Sequence, residues 1–173
     1  HGNPNNARSH ITMTGPELWE ATSGELDVML IGLGTGGTFE GLSTYLKAKK
    51  PSIRIVGFEP ETSPVYAGGN QGEHHLIGIG PGFITENFKR AAGNIDEILH
   101  IQDDAAYSMV RRIAREEGIL VGPTSGAAAV AAEQLIKRDD LRGKTVGLIF
   151  YDTGERYLNV NGLFPSDNIE FVN

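Results

Sequence analysis

Residues 26 to 38 read Leu-Asp-Val-Met-Leu-Ile-Gly-Leu-Gly-Thr-Gly-Gly-Thr, an apolar run that passes directly into a glycine-rich turn. The run predicts a buried strand, and the segment that follows to about Lys49 predicts a helix that ends before Pro51. A turn with few side chains lets backbone N–H groups point inward as donors, and the start of the next helix adds a partial positive charge. The stretch therefore predicts a site for a phosphorylated ligand, to which Thr35 and Thr38 add hydroxyl groups.

Two other interpretations of this turn stay open on the residues alone. Gly32, Gly34 and Gly37 also fit the Gly-x-Gly-x-x-Gly pattern of dinucleotide-binding folds. Glu59 ends the next predicted strand roughly 20 residues further on, where that pattern wants a carboxylate. This would make the protein a nicotinamide-dependent oxidoreductase. Alternatively, a tight strand-to-helix turn needs glycine for its backbone angles and binds nothing.

Strands and helices alternate along the rest of the chain, which predicts an α/β fold. A strand–helix–strand unit at its centre implies parallel pairing with a right-handed crossover. We expect an open, mainly parallel twisted sheet flanked by helices in three αβα layers. The predicted strands are 26–31, 54–59, 98–101 and 145–150, and the last of these is expected to be central in the sheet. The predicted helices are 38–49, 103–117 and about 126–138. For the second helix, Asp103 is expected to be the N-cap and Gly118 to end the helix. Residues 1–10 are predicted to be loop, 60–97 irregular, and Thr14 to cap a short helix.

The bulk properties exclude several classes of protein. The chain has 173 residues, which we interpret as a single domain over 1–173, and its net charge of −7 argues against binding nucleic acid or an anionic membrane surface. It has no cysteine, so disulfides, thiolate nucleophiles and cysteine metal sites are excluded. No apolar run is long enough to span a membrane, and we expect a cytoplasmic protein without a metal site.

Two further segments carry hydroxyl or charged groups at predicted strand ends. Thr124-Ser125-Gly126 opens the alanine-rich helix, and we expect it to contact a ligand, although a helix N-cap explains one of the hydroxyls equally well. Residues 152–157, Asp-Thr-Gly-Glu-Arg-Tyr, follow the strand 145–150, where ligands of open α/β sheets bind, and a capped turn is an equal alternative. His74 and His75 lack partners at metal-ligand spacing and are expected in a solvated loop.

An ordered set of motifs resembles the fold-type II pyridoxal-phosphate enzymes of the cysteine synthase and cystathionine β-synthase family. The similarity covers nearly the whole chain. It is carried by residues 14–19 (Thr-Gly-Pro-Glu-Leu-Trp), 34–38 (Gly-Thr-Gly-Gly-Thr), 78–83 (Gly-Ile-Gly-Pro-Gly-Phe), 117–122 (Glu-Gly-Ile-Leu-Val-Gly), 124–127 (Thr-Ser-Gly-Ala) and 152–158 (Asp-Thr-Gly-Glu-Arg-Tyr-Leu).

The resemblance implies a cofactor, pyridoxal 5'-phosphate, and a role for particular residues. The loop Gly34, Thr35, Gly36, Gly37 and Thr38 would cradle the cofactor phosphate. Thr124 aligns with the family serine that bonds the pyridine nitrogen, and a neutral hydroxyl there leaves that nitrogen largely unprotonated, which suits β-elimination and replacement. Gly78 would lie in the loop that closes over substrate. Asp152 and Thr153 would lie behind the residues at the pyridine edge.

The same resemblance implies that part of the enzyme is missing from this chain. Members of the family carry a Schiff-base lysine and a substrate-carboxylate loop well upstream of the phosphate loop, whereas this chain begins about thirty residues before it. None of Lys47, Lys49, Lys50, Lys89, Lys137 and Lys144 has the expected setting, so no catalytic residue is nominated. We therefore expect the larger C-terminal part of an enzyme and an incomplete cofactor domain, inactive without the lysine-bearing part.

The chain also departs from the family pattern. Ile77 stands where cysteine synthases usually carry glutamine, Pro123-Thr124 replaces isoleucine-serine, Tyr151 replaces a common proline, and Asn159-Val160-Asn161 replaces a serine-threonine stretch. Because Ile77 removes a polar group from the substrate side, the substrate stays open.

The implied reaction is the formation of cysteine from O-acetylserine or O-phosphoserine and sulfide. One alternative is the condensation of serine with homocysteine, as in cystathionine β-synthase. Another is a non-catalytic module that binds a cofactor or a partner. The implied partners are a small amino-acid substrate with sulfide or a thiol, the missing N-terminal part, and a second copy of the whole enzyme in a homodimer.

Overall fold

The computed structural model describes residues 2–164, and its centre is a parallel sheet of four strands in the order β3-β2-β1-β4. The strands are β1 Val28–Gly32, β2 Arg54–Pro60, β3 Glu97–Ile101 and β4 Val146–Gly147. In the register, Val28 lies opposite Arg54 of β2 and Val146 of β4. The parallel sheet predicted from the alternation of strands and helices is confirmed.

Three long helices cover the two faces of this sheet. They are α3 Gly37–Lys49, α5 Asp103–Glu117 and α6 Pro123–Ile136. Successive side chains of a strand point to opposite faces, so Val28 and Leu30 pack in the core with α5 and α6, whereas Met29 and Ile31 pack in the core with α3. The three αβα layers expected from the sequence are therefore present.

The N-terminal segment is helical, so the prediction of a loop over residues 1–10 is wrong. Helix α1 Pro4–Ser9 continues through one turn of π-helix, His10–Thr14, into α2 Gly15–Ala21. The Asn3 side chain accepts a hydrogen bond from the amide of Asn5 at 2.9 Å, and Pro4 suits the first turn. Thr14 is inside the helical stretch and caps nothing. The segment looked like loop because its polar residues face solvent and only Ala7 of α1 is buried.

The last predicted strand is shorter than expected and lies at the edge of the sheet. The sequence predicted a central strand over 145–150, but only Val146–Gly147 pairs, with β1 on one side. Further along, the amide of Gly32 at the end of β1 donates to the hydroxyl of Tyr151 at 3.0 Å instead of to a strand carbonyl. Within residues 2–164 no strand lies beyond β4, and Phe150 is 44% exposed.

Smaller corrections concern helix ends. Gln102, not Asp103, is the N-cap of α5, while Gly118 ends that helix with φ 69°, as predicted. Helix α6 begins at Pro123, three residues before the expected start. The segment 60–97, expected to be irregular, contains α4 Glu86–Ala91, which Thr85 caps by accepting from the amide of Phe88 at 3.3 Å. None of the helices in residues 2–164 has both the length and the apolar content of a bilayer-crossing segment.

Candidate functional site

A cleft of about 460 Å³ opens beyond the carboxyl end of β1. Its walls are the glycine loop after β1, the segment 77–79, the start of α6 and residues 151–157. Segments far apart in sequence thus meet at one place, at the sheet edge where ligands of α/β folds bind. Of the predicted site residues, those that line the cleft are Gly34, Thr35, Gly36, Thr38, Gly78 and Thr124. Gly37 begins α3 and is not among the lining residues, and a Cβ at this position would meet the side chain of Asn6.

The glycine loop presents a run of free backbone donors. Gly36 has φ 82°, a left-handed conformation that favours glycine, and it is the N-cap of α3 without a side chain to cap the helix. Within residues 2–164 the amides of Thr35, Gly36, Gly37 and Thr38 have no protein acceptor. Free amides at a helix N-terminus, together with the helix dipole, favour an anion. The loop is therefore suited to hold a phosphate group through its backbone.

The two threonines of this loop are held by the N-terminal helical segment. The amide nitrogen of the Asn6 side chain lies 3.4 Å from the Thr35 hydroxyl, and Nε2 of His10 lies 3.3 Å from the Thr38 hydroxyl. Burial lowers the pKa of His10, which favours the neutral ring. Sequence patterns do not indicate these contacts, because they depend on a helical segment whose polar residues predict a loop.

Gly34, Gly78 and Thr124 come from different segments and lie next to one another in one wall of the cleft. A Cβ on Gly34 would lie 2.3 Å from the carbonyl oxygen of Gly78, and a Cβ on Gly78 would lie 2.7 Å from the Thr124 hydroxyl oxygen. Gly78 also has φ 111°. The predicted phosphate loop therefore lies against the predicted substrate-side loop, and that loop lies against the predicted pyridine-side residue. Glycine is required at positions 34 and 78.

The hydroxyls of Thr124 and Ser125 have different partners. Thr124 donates to the carbonyl of Ile77 at 2.6 Å and keeps its oxygen lone pairs at the cleft. Ser125 is fully buried and bonds the carboxylate of Asp152 at 2.5 Å. That carboxylate also accepts from the amides of Thr124 at 3.1 Å and Ser125 at 2.9 Å. The expectation that one of these hydroxyls is the N-cap is therefore wrong: Gly122 is the N-cap of α6, and the Asp152 carboxylate accepts the amides at the helix start. Of the two hydroxyls, only that of Thr124 lies at the cleft.

Tyr151 is a site residue that sequence reasoning noted only as a departure from the family pattern. It lines the cleft, and its hydroxyl accepts the hydrogen bond from Gly32 noted above. Burial raises the pKa of Tyr151 to about 12, although the Gly32 bond acts in the opposite direction. The phenol therefore stays neutral in the folded protein well above pH 7, and its proton remains available as a donor.

We expect Tyr151→Phe to change how stability depends on alkaline pH. The folded-state pKa lies above the ordinary value of 10, so the stability contributed by the neutral phenol is present below pH 10 and is lost as pH rises through about 12. The variant lacks this decline, and the unpartnered amide of Gly32 lowers its unfolding free energy by about 1–3 kcal/mol at neutral pH. Urea unfolding of both proteins from pH 8 upward measures this. Parallel pH profiles would contradict the assignment.

The carboxylate that would support a dinucleotide site is used inside the protein. Glu59 is fully buried, and its two oxygens accept the amides of Tyr66 at 2.8 Å and Ala67 at 2.9 Å. Burial raises the pKa of Glu59 and outweighs these bonds. Glu59 does not line the cleft and so is not placed to bond a ribose, which removes the main support for an oxidoreductase.

The two histidines of the long loop have separate protein partners. Nε2 of His74 lies 2.8 Å from the Gly80 carbonyl, and His75 is exposed beside the carboxylate of Asp103. A solvated position is confirmed for His75, whereas His74 is half-buried. Among residues 2–164 there is no group of three or more His, Cys, Asp or Glu residues able to hold a metal.

Comparison with known proteins identifies the family of this chain. The family model of pyridoxal-phosphate dependent enzymes matches residues 1–152. The chain belongs to this family. Cysteine synthase of Staphylococcus aureus is 46% identical over 158 residues, which are 91% of this chain and 50% of that protein.

Solved structures give the same relationship. Cysteine synthase from Entamoeba histolytica superposes with a TM-score of 0.89 at 39% identity, covering 94% of this chain and 47% of that one. The O-acetylserine dependent cystathionine beta-synthase from Helicobacter pylori superposes with a TM-score of 0.83 at 38% identity, covering 91% of this chain and 50% of that one. The chain spans about half the length of the relatives it matches.

The lysines of the chain all lie in the described part and away from the cleft. Five form ion pairs with aspartate or glutamate, and Lys49 lies over the Tyr45 ring with its nitrogen 5.7 Å from the ring centre. The only basic side chain in the lining of the cleft is that of Arg156, as far as residues 2–164 show. None of the six lysines lines the cleft.

Proposed function

We propose that this chain supplies the phosphate-binding and pyridine-binding parts of a pyridoxal-phosphate enzyme that forms cysteine from an activated serine, O-acetylserine or O-phosphoserine, and sulfide. The observation that carries the proposal is the run of unpartnered amides at Thr35–Thr38 on one side of a cleft that has the Thr124 hydroxyl on another. The cleft volume of about 460 Å³ lies in the ordinary range for cofactor pockets. When bound, the cofactor would draw electrons from the substrate so that the β-substituent can leave and be replaced.

The residues present fit this cofactor group by group. A phosphate ester would bond the amides of the glycine loop and the Thr35 hydroxyl. The pyridine nitrogen would approach Thr124, whose proton now bonds the Ile77 carbonyl at 2.6 Å. A ring nitrogen that accepts this proton must therefore displace it from Ile77. Binding of the ring would in this way be coupled to the segment 77–79, which includes Gly78 of the expected substrate-side loop.

Binding of the cofactor tests the proposal directly. We expect pyridoxal 5'-phosphate to bind the chain in an absorbance or fluorescence titration, and pyridoxal, which lacks the phosphate, to bind about a hundredfold more weakly, because charge-assisted hydrogen bonds to the loop are lost. Inorganic phosphate should compete with the cofactor. Borohydride reduction should label no lysine of this chain specifically. Tight NADH binding without pyridoxal-phosphate binding would support the oxidoreductase instead.

A second candidate reaction is supported by Ile77. This apolar side chain lines the cleft and is 49% exposed, where it would contact a nucleophile with a carbon chain better than it would contact sulfide. Homocysteine, the thiol of the cystathionine β-synthase reaction, is such a nucleophile. Assaying the protein together with the lysine-bearing part, with an activated serine and either sulfide or homocysteine, separates the two reactions. In that complete assay, cofactor binding without turnover of either pair would favour the non-catalytic module.

The remaining expectations belong to the same proposal. Activity would require a lysine supplied from outside these residues, because none of the chain's own lysines lines the cleft. The whole enzyme would be a homodimer, and its location would be the cytoplasm. Mass determination of the denatured purified protein tests for a longer or second polypeptide, and light scattering tests for the dimer.

A further inference from the structure

The outer side of the glycine loop is held by two side chains from a distant segment of the chain. The hydroxyl of Tyr66 donates to the carbonyl of Gly34 at 2.7 Å, and the side-chain amide of Asn87 donates to the carbonyl of Thr35 at 3.0 Å. Neither Tyr66 nor Asn87 lines the cleft. Their effect on a ligand must therefore pass through the backbone of the loop.

These two bonds determine the direction of two of the loop amides. In a planar trans peptide the carbonyl of one residue and the N–H of the next point in opposite directions. A Gly34 carbonyl turned outward to Tyr66 therefore turns the N–H of Thr35 the other way, and a Thr35 carbonyl held by Asn87 does the same for Gly36. Thr35 and Gly36 both line the cleft, and their amides have no protein acceptor in residues 2–164.

The Tyr66 anchor is fixed by the packing around it. Tyr66 is 7% exposed, its ring lies 4.6 Å from that of Phe88 between centroids, and its own amide is bonded to the buried carboxylate of Glu59. Its hydroxyl also lies 3.2 Å from that of Thr85, the N-cap of α4.

The Asn87 anchor is equally constrained. Asn87 is fully buried in α4, and its side-chain oxygen accepts a hydrogen bond from Arg90. The same short helix touches the loop directly, because a Cβ on Gly36 would lie 2.7 Å from the Thr85 hydroxyl oxygen and 2.8 Å from the amide nitrogen of Phe88.

We propose that Tyr66 and Asn87 are positioning residues for phosphate: by holding the carbonyls of Gly34 and Thr35 outward, they aim the amides of Thr35 and Gly36 at the phosphate of the ligand. This inference rests on the proposed function. The segment around α4, which does not line the cleft, would thereby control affinity for the phosphate part of the cofactor and not for its ring.

The test compares Tyr66→Phe and Asn87→Ala with the wild-type full chain, using pyridoxal 5'-phosphate and pyridoxal as probes. Each variant should bind pyridoxal phosphate about tenfold more weakly, because a loop amide is no longer held toward the phosphate. Affinity for pyridoxal should stay the same within error. The phosphorus NMR resonance of bound pyridoxal phosphate should also move in both variants, since its hydrogen-bond donors have changed.

A matched control is available in Tyr107→Phe. Tyr107 is 6% exposed, and its hydroxyl donates to the backbone carbonyl of His75 at 3.1 Å, so the variant loses a similar bond without touching the glycine loop. It should bind pyridoxal phosphate like the wild type. Tyr66→Phe keeps the ring contact with Phe88 and carries the test if Asn87→Ala does not fold.

The outcomes separate this inference from the proposed function. Failure of the wild type to bind pyridoxal phosphate would overturn the proposed function and this inference with it. Wild-type binding together with unchanged affinity in folded Tyr66→Phe would overturn the positioning role alone. Equal loss of affinity for pyridoxal and for its phosphate would also overturn it, because such a loss reports general damage to the cleft.

Discussion

We expect Gly34→Ala to weaken pyridoxal-phosphate binding by roughly ten- to a hundredfold, since insertion of a methyl group into packed structure typically costs about 1–3 kcal/mol. The added Cβ would lie 2.3 Å from the carbonyl oxygen of Gly78, a contact that only a backbone shift can relieve. Either the glycine loop moves, which misdirects its free amides, or the segment around Gly78 moves, which changes the wall next to Thr124. The measurement is the same absorbance titration, with unfolding followed in parallel.

Gly93→Ala is the matched control for this variant. A Cβ at Gly93 meets no atom within 4 Å, and its φ is not in the positive range, so the variant should bind and unfold like the wild type. Gly34 likewise has no positive φ, so the effect of Gly34→Ala is steric and not conformational. Wild-type affinity in Gly34→Ala would mean that the close approach of Gly34 and Gly78 is not a feature of the protein in solution.

The parts of the site that could be predicted from the sequence are the local ones. The turn after β1 is specified by consecutive residues, because a buried strand, small residues and a helix start define a donor-rich loop wherever they occur together. The start of α6 was only partly local: the hydroxyl residues could be read from the sequence, whereas the carboxylate that accepts their amides comes from Asp152, 27 and 28 residues away. That these segments meet at one cleft could also be predicted, because the loops that follow parallel strands lie at the same edge of the sheet.

The parts that could not be predicted depend on contacts between distant residues. Tyr66 and Asn87 lie in a segment without strand or helix periodicity, and their role arises only from hydrogen bonds that span 32 and 52 residues. The N-terminal helical stretch was missed for a similar reason. It packs closely on α3, since a Cβ on Gly41 would lie 2.5 Å from the carbonyl oxygen of Ala7. Such tertiary packing stabilises a helix whose own sequence is polar.

The strand 145–150 shows a different limit. An apolar run is typical of a central parallel strand, yet here only Val146–Gly147 pairs, and on one side only. An apolar run predicts that a segment is covered, but not which element covers it. Tyr151 was visible in the sequence only as a departure from a family pattern, and its function as acceptor for the Gly32 amide required the position of β1.

We expect Asp152→Ala to lower the free energy of unfolding by about 2–4 kcal/mol, the largest effect on stability among these variants. The carboxylate accepts from the amides of Thr124 and Ser125, so the substitution leaves two donors at the start of α6 without a partner. The Ser125 hydroxyl loses the carboxylate as well but keeps the backbone carbonyl of residue 152, at 3.2 Å. Its effect is larger than that of an ordinary helix cap because the carboxylate serves two amides at once and Ser125 is fully buried. Urea unfolding followed by circular dichroism measures the loss.

Two further variants distinguish a cap from a simple charge. Asp152→Asn keeps one acceptor oxygen and should lose about half as much stability, whereas Asp139→Ala removes a carboxylate with a 98% exposed side chain and should change stability by less than about 0.5 kcal/mol.

The same turn that Asp152 holds places Thr124 in the lining of the cleft, so Asp152→Ala should weaken the binding of both pyridoxal and pyridoxal phosphate. That pattern differs from the one expected for Tyr66→Phe, which spares pyridoxal. Asp152 and Tyr66 therefore report on opposite ends of the ligand, and a variant pair that failed to separate the two probes would contradict the placement of phosphate at the glycine loop and ring at Thr124.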